Sequence, residues 1–281
     1  MKRNIYLKTI PPAEAVARVK ASIDREALIR EETIPSHEAS GRVLAHAVHA
    51  RYSSPTFHSA AMDGYAVNAR STFAAREGHP LTLKAGETCF AVNTGHPMPE
   101  GCDAVIMIEQ VVLDGGSVTI EAPAFPWQHV RRIGEDIVAT ELLFPRNHQL
   151  RPWDVGALLS GGIWDVPVWE RVTVRIIPTG DEVLDFTTHP DPGKGQVVES
   201  NSQMLAALAR ELGCVVERAA PVPDNPEALH QALKDSLDAG RHLTIFCAGS
   251  SAGSKDFTRA TLEKEGEILT HGIAAMPGKP S

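Results

Sequence analysis

The sequence has few cysteines and no cluster of them. Its 281 residues include four cysteines that lie far apart and form no C-x-x-C pair. This excludes a disulfide-dense mini-protein and indicates neither a zinc knuckle nor a redox dithiol. No apolar run approaches the ~20 residues that a membrane-spanning helix needs, and the basic N-terminal stretch lacks the apolar core of a signal peptide. We therefore expect a cytoplasmic protein with reduced thiols and no membrane partner.

An excess of basic residues is also missing. The 27 lysines and arginines are outnumbered by 35 aspartates and glutamates, which gives a net charge of −8. Because a general phosphate-backbone binder needs clustered positive charge, nucleic acid is not an expected partner. The sequence contains no H-E-x-x-H, G-x-G-x-x-G or Walker pattern, and Ser200 lacks a G-x-S-x-G elbow. These absences disfavour a zinc hydrolase, an esterase and a generic nucleotide-binding enzyme.

What is present is an ordinary globular composition, with 43% hydrophobic and 22% charged residues. Apolar residues at three- and four-residue spacing predict an amphipathic helix over residues 12–29. Between about residues 51 and 145 the pattern changes to short β-type runs separated by turn residues. These runs cover residues 65–67, 81–83, 104–108 and 117–120.

After residue 171 the pattern changes again, to strands that alternate with helices. Strands are predicted at residues 172–177, 214–222 and 243–247, and the first following helix carries Met204, Leu205, Leu208 and Leu212 on one face. The changes in pattern predict three domains, which are a helical linking domain (residues 1–50 and 140–170), a β-rich inserted domain (51–139) and an α/β domain (171–281).

Strands that alternate with helices predict a doubly wound parallel sheet, whose ligands bind beyond the carboxyl ends of the strands. Asp181 and Glu182 follow the first predicted strand, and Asp224 follows the second. A Gly-Ser loop at residues 249–253 and Asp256 follow the third. We therefore expect these groups to lie at one edge of the sheet.

This combination predicts a phosphorylated ligand held through a hard divalent cation. Carboxylates of Glu182, Asp224 and Asp256 suit Mg²⁺, while backbone amides and the hydroxyls of Ser250, Ser251 and Ser254 suit a phosphate at a helix start. A structural interpretation stays open, because a Gly-Ser loop before a helix also forms a simple turn with an N-cap, and Asp224 before Asn-Pro also forms an Asx-turn.

The β-rich region contains three further unusual stretches, at residues 53–67, 92–105 and 131–137. Taken alone, they are typical of hairpin turns and a solvated charge cluster. Together with the post-strand loops they form eight pieces in a fixed order, namely SPTFHSAAMDGYA (54–66), TGHPMPEGCDAV (94–105), RIGEDI (132–137), PTGDE (178–182), NSQML (201–205), PDNP (223–226), GSSAGSKDF (249–257) and MPGKP (276–280).

In these pieces the chain resembles the molybdopterin molybdenumtransferase family, which includes MoeA and the gephyrin E-domain. The resemblance implies a multidomain α/β fold, with a MogA-like doubly wound α/β domain, a β-rich inserted domain and a helical linking domain. It implies a homodimeric transferase of molybdenum cofactor biosynthesis that uses Mg²⁺ to insert molybdate into adenylylated molybdopterin and releases AMP. Other molybdenum cofactor synthesis proteins are candidate partners.

The resemblance also implies roles for matched residues. Asp63, Thr94 and Asp136 correspond to the family's functional residues in the inserted domain, where they face the active cleft across the homodimer interface. Glu182, Asp224 and Asp256 correspond to the catalytic and metal-binding acids of the α/β domain. The residues expected to bind the pterin substrate are Gly249, Ser250, Ser251, Gly253, Ser254 and Lys279.

The chain departs from the family pattern at three points. Ala248 stands where the family commonly has glycine, Met276 stands where a lysine is frequent, and the sequence ends at Ser281. Family members continue into a further loop and a C-terminal β-domain, so we expect the chain to be part of a longer protein. The departures favour one alternative function, a catalytically impaired molybdopterin-binding or scaffold module with the same fold.

Overall fold

The computed structural model describes residues 9–28, 30–247, 258–270 and 272–275. The chain divides into two compact units. One is Glu31–Trp169, and the other combines Met1–Arg30 with Glu170–Ser281. The finer division into three domains stays a prediction.

The helices and strands of the described residues are numbered in chain order. The α-helices are α1 (Pro12–Ser22), α2 (Arg25–Leu28), α3 (Pro152–Ser160), α4 (Asn201–Glu211), α5 (Pro226–Asp238) and α6 (Thr258–Glu265). Short 3-10 helices span Ser36–Glu38, Ala69–Thr72, Ile108–Gln110 and Phe186–Thr188. The strands of the first unit are β1 (Glu31–Pro35), β2 (Val48–His49), β3 (Ser59–Ala60), β4 (Gly64–Val67), β5 (Leu81–Lys84), β6 (Cys89–Val92), β7 (Ala104–Met107), β8 (Val111–Asp114), β9 (Ser117–Ile120), β10 (Val130–Arg131), β11 (Leu142–Phe144) and β12 (Asp165–Trp169). Those of the second unit are β13 (Thr173–Pro178), β14 (Val183–Leu184), β15 (Val197–Val198), β16 (Val215–Arg218) and β17 (Leu243–Cys247).

The Glu31–Trp169 unit is built from small antiparallel sheets. Two of them have three strands, in the orders β6-β4-β7 and β5-β9-β8, while β1 pairs with β12, β2 with β11 and β3 with β10. Side chains from both three-stranded sheets share one core, which includes Val67, Leu83, Ile106 and Val118. Each of the four predicted β-type runs overlaps one of these strands, so the β-rich prediction for this region is confirmed.

Helix α3 of the same unit begins at a buried carboxylate. Asp154 is 3% exposed and accepts hydrogen bonds from the Arg151 backbone N (2.9 Å), from Arg151 Nε (3.1 Å) and from His148 Nε2 (2.7 Å). Burial is the largest influence on Asp154 and raises its pKa, but the hydrogen bonds from Arg151 and His148 together outweigh it. They hold the pKa of Asp154 well below its usual range.

We expect Asp154→Asn to destabilise the protein at neutral pH by about 1–3 kcal/mol, because charge-assisted hydrogen bonds are lost. The folded-state pKa is depressed, so this contribution is present above the unfolded pKa of about 3.9 and disappears as the pH falls through the folded-state value. The difference between wild type and variant therefore shrinks below about pH 5. Urea denaturation across this pH range measures it, with the exposed Asp165→Asn as a control. A difference that stays constant down to pH 3 contradicts the assignment.

The second unit carries a parallel sheet with the order β16-β13-β17, so that β13 is the central strand. Helix α4 packs against it, where Val174 and Ile176 of β13 contact Ala206 of the helix. Helix α5 buries Leu229 and Leu233. The strands lie at the three predicted places and alternate with helices, and the α/β fold class is therefore confirmed.

The apolar face predicted for α4 is wrong in part. Met204, Leu208 and Leu212 are 63%, 52% and 74% exposed, whereas Leu205 packs against the sheet beside the fully buried Ala206. The helix therefore packs against the sheet through Leu205 and a small residue, while Met204, Leu208 and Leu212 stay exposed. Periodicity shows that a helix has an apolar face but does not decide which residues the neighbouring sheet covers.

The predicted helix over residues 12–29 is also interrupted. Helix α1 ends at Ser22, Ile23 is extended (φ −86°, ψ 115°), and α2 begins at Arg25. The Asp24 carboxylate accepts a hydrogen bond from the backbone N of Ala27 at 3.2 Å. Asp24 therefore caps a second helix instead of continuing the first. No helix in the described part of the chain is long and apolar enough to cross a bilayer.

Candidate functional site

The first candidate site lies at the edge of the parallel sheet. The chain passes from β13 to β16 on one side and later to β17 on the other, so the strand order reverses at β13. Doubly wound sheets bind ligands at such a reversal, beyond the carboxyl ends of the strands. The backbone N of Gly180, just after β13, donates to Val222 O at 3.1 Å and joins the loops that follow β13 and β16. We call residues 179–182 and 222–224 the sheet-edge site.

Glu182 folds its carboxylate back over Gly180. A Cβ at position 180 would lie 3.0 Å from Glu182 Oε2 and 2.8 Å from Val183 Cγ2, and the φ of Gly180 is 137°. Both the close approach and this backbone conformation favour glycine. The carbonyl of Glu182 accepts a hydrogen bond from Val197 N at 3.0 Å, while the residue stays exposed. The backbone of Glu182 is thus held by Val197, and its carboxylate lies solvent-accessible at the sheet edge.

Asp181 joins this loop to the next one. Its Oδ1 accepts a hydrogen bond from the backbone N of Asp224 at 3.1 Å. The structure thereby brings Asp181, Glu182 and Asp224 to one edge of the sheet. Asp256, the third predicted metal ligand, lies outside the described residues, and the described ones include no group of three or more His, Cys, Asp or Glu that could hold a metal. The predicted magnesium site stays a prediction.

The predicted pterin-binding residues lie outside the described part of the chain, as do the two departures from the family pattern, Ala248 and Met276. These residues are Gly249, Ser250, Ser251, Gly253, Ser254 and Lys279.

A buried polar network supports the loop that continues from the sheet-edge site. Arg218 Nε donates to Ser202 Oγ at 2.9 Å, and Arg218 Nη2 lies 3.1 Å from Asp185 Oδ1 and 3.4 Å from Glu199 Oε2. Ser202 donates its backbone N and its hydroxyl to the two oxygens of Glu199, at 2.7 and 2.6 Å. The side chain of Glu199 is only 3% exposed. One arginine therefore holds two carboxylates, the first of which lies three residues after Glu182.

The second candidate site lies in the Glu31–Trp169 unit, around the short strand β3. On one side, Ala60 of β3 exchanges backbone hydrogen bonds with Gly95 and His96, at 2.8 and 2.9 Å. On the other side β3 pairs with β10, with Ser59 opposite Arg131. The strand thus joins the segment that carries Thr94 to the segment that carries Asp136. We call Asp63, Thr94, Arg131 and Asp136 the insert site.

Asp63 and Thr94 are in direct contact. Asp63 Oδ1 accepts hydrogen bonds from the backbone N of Thr94 at 2.7 Å and from its Oγ1 at 3.0 Å. The backbone hydrogen bond is the largest influence and the side-chain bond the next, and both lower the pKa of Asp63 below its ordinary value. Asp63 therefore remains an exposed, ionised carboxylate in a fixed orientation at neutral pH.

Asp136 is held by Arg131. Nη2 of Arg131 lies 2.7 Å from both carboxylate oxygens of Asp136, and Arg131 Nε lies 3.7 Å from Glu135 Oε1. Arg131 and Asp136 are about half exposed. The insert site therefore combines one carboxylate oriented by Thr94 with a second one paired to an arginine.

Two participants are not predicted by the sequence, namely Arg131 and a buried network. Arg131 was counted only as part of a mixed charge cluster. The pattern of the sequence does not predict the buried network of Asp185, Glu199, Ser202 and Arg218, because its members come from three separate segments.

Two family models match the chain. The MoeA N-terminal region (domain I and II) matches residues 10–162, and a probable molybdopterin binding domain matches residues 175–281. The first range contains the insert site, and the second contains the sheet-edge site. Together the two models account for nearly all of the described residues.

Curated relatives carry related names. A molybdopterin molybdenumtransferase of Synechococcus elongatus is 31% identical over 89% of this chain and 66% of its own length. A molybdopterin molybdenumtransferase of Haemophilus influenzae is 33% identical over 89% of this chain and 64% of its own length. A putative molybdopterin biosynthesis protein of Methanocaldococcus jannaschii is 30% identical over 100% of this chain and 73% of its own length. The chain thus spans about two thirds of the length of these relatives.

A solved structure agrees with the sequence comparisons. The crystal structure of the molybdopterin biosynthesis protein MoeA from Pyrococcus horikoshii superposes with a TM-score of 0.78 at 28% identity, and the match covers 97% of this chain and 71% of that one. One family model covers more than half of the chain, and the match to the Methanocaldococcus relative extends over the whole of this chain. The chain belongs to the MoeA family.

Proposed function

We propose that the protein acts in molybdenum cofactor biosynthesis as a molybdopterin molybdenumtransferase, which inserts molybdate into adenylylated molybdopterin and releases AMP. The observation that carries the proposal is the convergence of Asp181, Glu182 and Asp224 at the strand reversal of the parallel sheet. Doubly wound sheets bind phosphorylated ligands at this position. The names of the relatives add the substrate class.

The proposed reaction cleaves a phosphate anhydride, and Mg²⁺ is the proposed cation. Mg²⁺ in proteins uses one or two carboxylates together with water and substrate phosphates, and the oxygen donors of Glu182 and Asp224 fit this chemistry. Asp256 is proposed as the third ligand. When bound, the ion supplies positive charge that neutralises the phosphate oxygens. The hydrogen bond from Asp224 N to Asp181 keeps the two loops together, so that both carboxylates stay at one edge.

The remaining roles follow the same proposal. Asp63, Thr94 and Asp136 form the functional group of the inserted region, where Asp63 is held ionised and Asp136 is paired. The phosphate and the pterin contact Gly249, Ser250, Ser251, Gly253, Ser254 and Lys279. We also propose a cytoplasmic homodimer, and sedimentation equilibrium of the purified protein tests that assembly.

We expect Asp63→Asn to keep the fold and to lose about 10- to 100-fold in molybdenum transfer. The asparagine Oδ1 still accepts the hydrogen bond from Thr94 N, so only the negative charge is removed. The measurement is restoration of molybdoenzyme activity by the complete reading frame in a host that lacks its own transferase. Asp114→Asn, at an exposed hairpin position of the same unit, is the matched control and should restore activity like wild type.

The same assay separates the proposal from its alternative. An active wild type that loses activity with Asp63→Asn and with Glu182→Gln supports the transferase. A wild type that binds molybdopterin but never restores activity supports a catalytically impaired molybdopterin-binding or scaffold module. Full activity of both variants removes these two carboxylates from the proposed mechanism.

A further inference from the structure

Backbone N–H groups of the loop that carries Asp136 donate hydrogen bonds to the segment before β3. Two backbone N–H groups donate to Ser54 O, those of Asp136 (2.9 Å) and Ile137 (3.1 Å). Gly134 N donates to Pro55 O at 3.1 Å. These acceptors are backbone carbonyls, so they are present whatever side chains the sequence supplies.

The remaining N–H groups of the loop are also bonded. Glu135 N donates to Arg132 O at 3.1 Å, and Arg132 N donates to the side chain of Glu135 at 3.0 Å, so these two bonds lie within the loop. Ile133 N donates to Nδ1 of His58 at 3.1 Å, across 75 residues of sequence. Between residues 132 and 137, this is the one bond in which a side chain from outside the loop is the acceptor.

His58 is itself held in place on two sides. Its ring lies against that of Trp127, with 4.8 Å between the ring centroids and an interplanar angle of 53°. Its carbonyl accepts a hydrogen bond from Met98 N at 2.9 Å. A backbone N–H only donates, so Nδ1 must be the unprotonated nitrogen of the ring. The ring therefore presents a fixed acceptor to the tip of the loop.

We infer that His58 is a positioning residue for Asp136, acting through the acceptor Nδ1 that fixes the backbone of the loop at Ile133. The same residue directly precedes β3, and Asp63 follows this strand by three residues. His58 therefore sets the position of the loop carboxylate relative to the strand that leads to Asp63. This inference rests on the proposed function only for its effect on activity, since the effect on the loop is independent of that function.

Two reciprocal substitutions distinguish the effect of the Nδ1 acceptor from the effect of the aromatic ring. His58→Asn keeps an acceptor oxygen at the δ position and removes the ring, whereas His58→Phe keeps a ring against Trp127 and removes the acceptor. His58→Ala removes both. The first readout is the hydrogen exchange rate of the Ile133 amide, measured by NMR in the folded protein. The amide of Arg132, whose acceptor is the Glu135 side chain, is the internal control.

We expect the Ile133 amide to exchange about tenfold faster in His58→Phe and His58→Ala, and within about threefold of wild type in His58→Asn. The Arg132 amide should exchange at the wild-type rate in all three variants. In the complete gene product, kcat/KM for molybdenum transfer should fall about fivefold to tenfold in the Phe and Ala variants and recover in the Asn variant.

The outcomes distinguish this inference from the proposed function. Wild-type exchange in His58→Phe, or fast exchange in His58→Asn, overturns the role of Nδ1. An inactive wild type overturns the proposed function while the exchange rates still test the role of His58 in the loop. Fast exchange in the Phe variant with unchanged kcat/KM shows that the loop position does not matter for transfer, and it overturns the positioning role.

Discussion

Gly64→Ala is expected to cost the Glu31–Trp169 unit about 3 kcal/mol or more, a large fraction of the roughly 5–15 kcal/mol by which an ordinary protein is stable. Gly64 is the first residue of β4, the central strand of the β6-β4-β7 sheet. A Cβ at this position would lie 2.0 Å from the backbone O of Ile106 and 3.0 Å from the backbone N of Ile108. Ile106 lies in the paired strand β7 and Ile108 begins the 3-10 helix that directly follows it, so these backbone atoms cannot move away as a flexible side chain would.

The steric clash at position 64 also affects the neighbouring residue Asp63, which belongs to the insert site. The backbone O of Asp63, the residue before Gly64, accepts a hydrogen bond from Ile108 N at 3.0 Å. A shift of this segment away from Gly64 therefore moves the backbone of Asp63 as well. Any folded fraction of Gly64→Ala should show reduced molybdenum transfer in addition to reduced stability.

Gly156→Ala is the matched control for this prediction. Gly156 lies in the middle of helix α3, and apart from its chain neighbours and the backbone of its own helix, no atom lies within 4 Å of the Cβ that the substitution adds. Since glycine weakens a helix interior, the same chemical change should stabilise the protein there by about 0.5–1 kcal/mol. Urea denaturation followed by circular dichroism measures both variants. Equal midpoints for the two variants contradict the steric argument.

The second large effect is expected at Arg218. Replacing it with methionine keeps much of the side-chain stem but leaves Glu199, whose side chain is 3% exposed, without its arginine. Breaking a buried pair by removing one partner costs about 3–5 kcal/mol, because the remaining charge stays buried. Asp185, 22% exposed at its side chain, loses the same partner.

Adding a substitution at Glu199 tests why the protein loses stability when Arg218 is replaced. In Arg218→Met combined with Glu199→Gln, no uncompensated charge remains at position 199, so we expect a substantial part of the stability to return. Arg210→Met, at an exposed position of α4, should change the free energy of unfolding by less than about 0.5 kcal/mol. If the double variant is as unstable as the sum of both single variants, the network is not held by charge pairing. Urea denaturation provides all four values.

Local patterns predicted most of the architecture. A β-branched run followed by turn residues predicted β13, and helical periodicity predicted α4, because these elements depend on neighbours a few residues apart. The alternation of strands and helices predicted a parallel sheet, and that topology placed Glu182 and Asp224 at one edge. The positions of the acids in the sheet-edge site could therefore be predicted from the sequence.

Contacts between segments that are distant in the sequence could not be predicted in this way. The resemblance grouped Asp63 with Thr94, yet only the structure shows that one oxygen of Asp63 accepts both hydrogen bonds across 31 residues. The exposed face of α4, with Leu208 and Leu212, was assigned wrongly because periodicity does not show what the sheet covers. Such contacts depend on strand register and on the packing distance between elements.

The sequence by itself determined the family, the α/β class and the positions of the acids after the strands, since each of these depends on short segments and their order. Only the tertiary structure decided that Arg218 holds two carboxylates and that His58 supplies the acceptor for Ile133. The physical reason is that a hydrogen bond requires its donor and acceptor to lie about 3 Å apart. For residues far apart in the chain, the folded arrangement of several elements sets this distance.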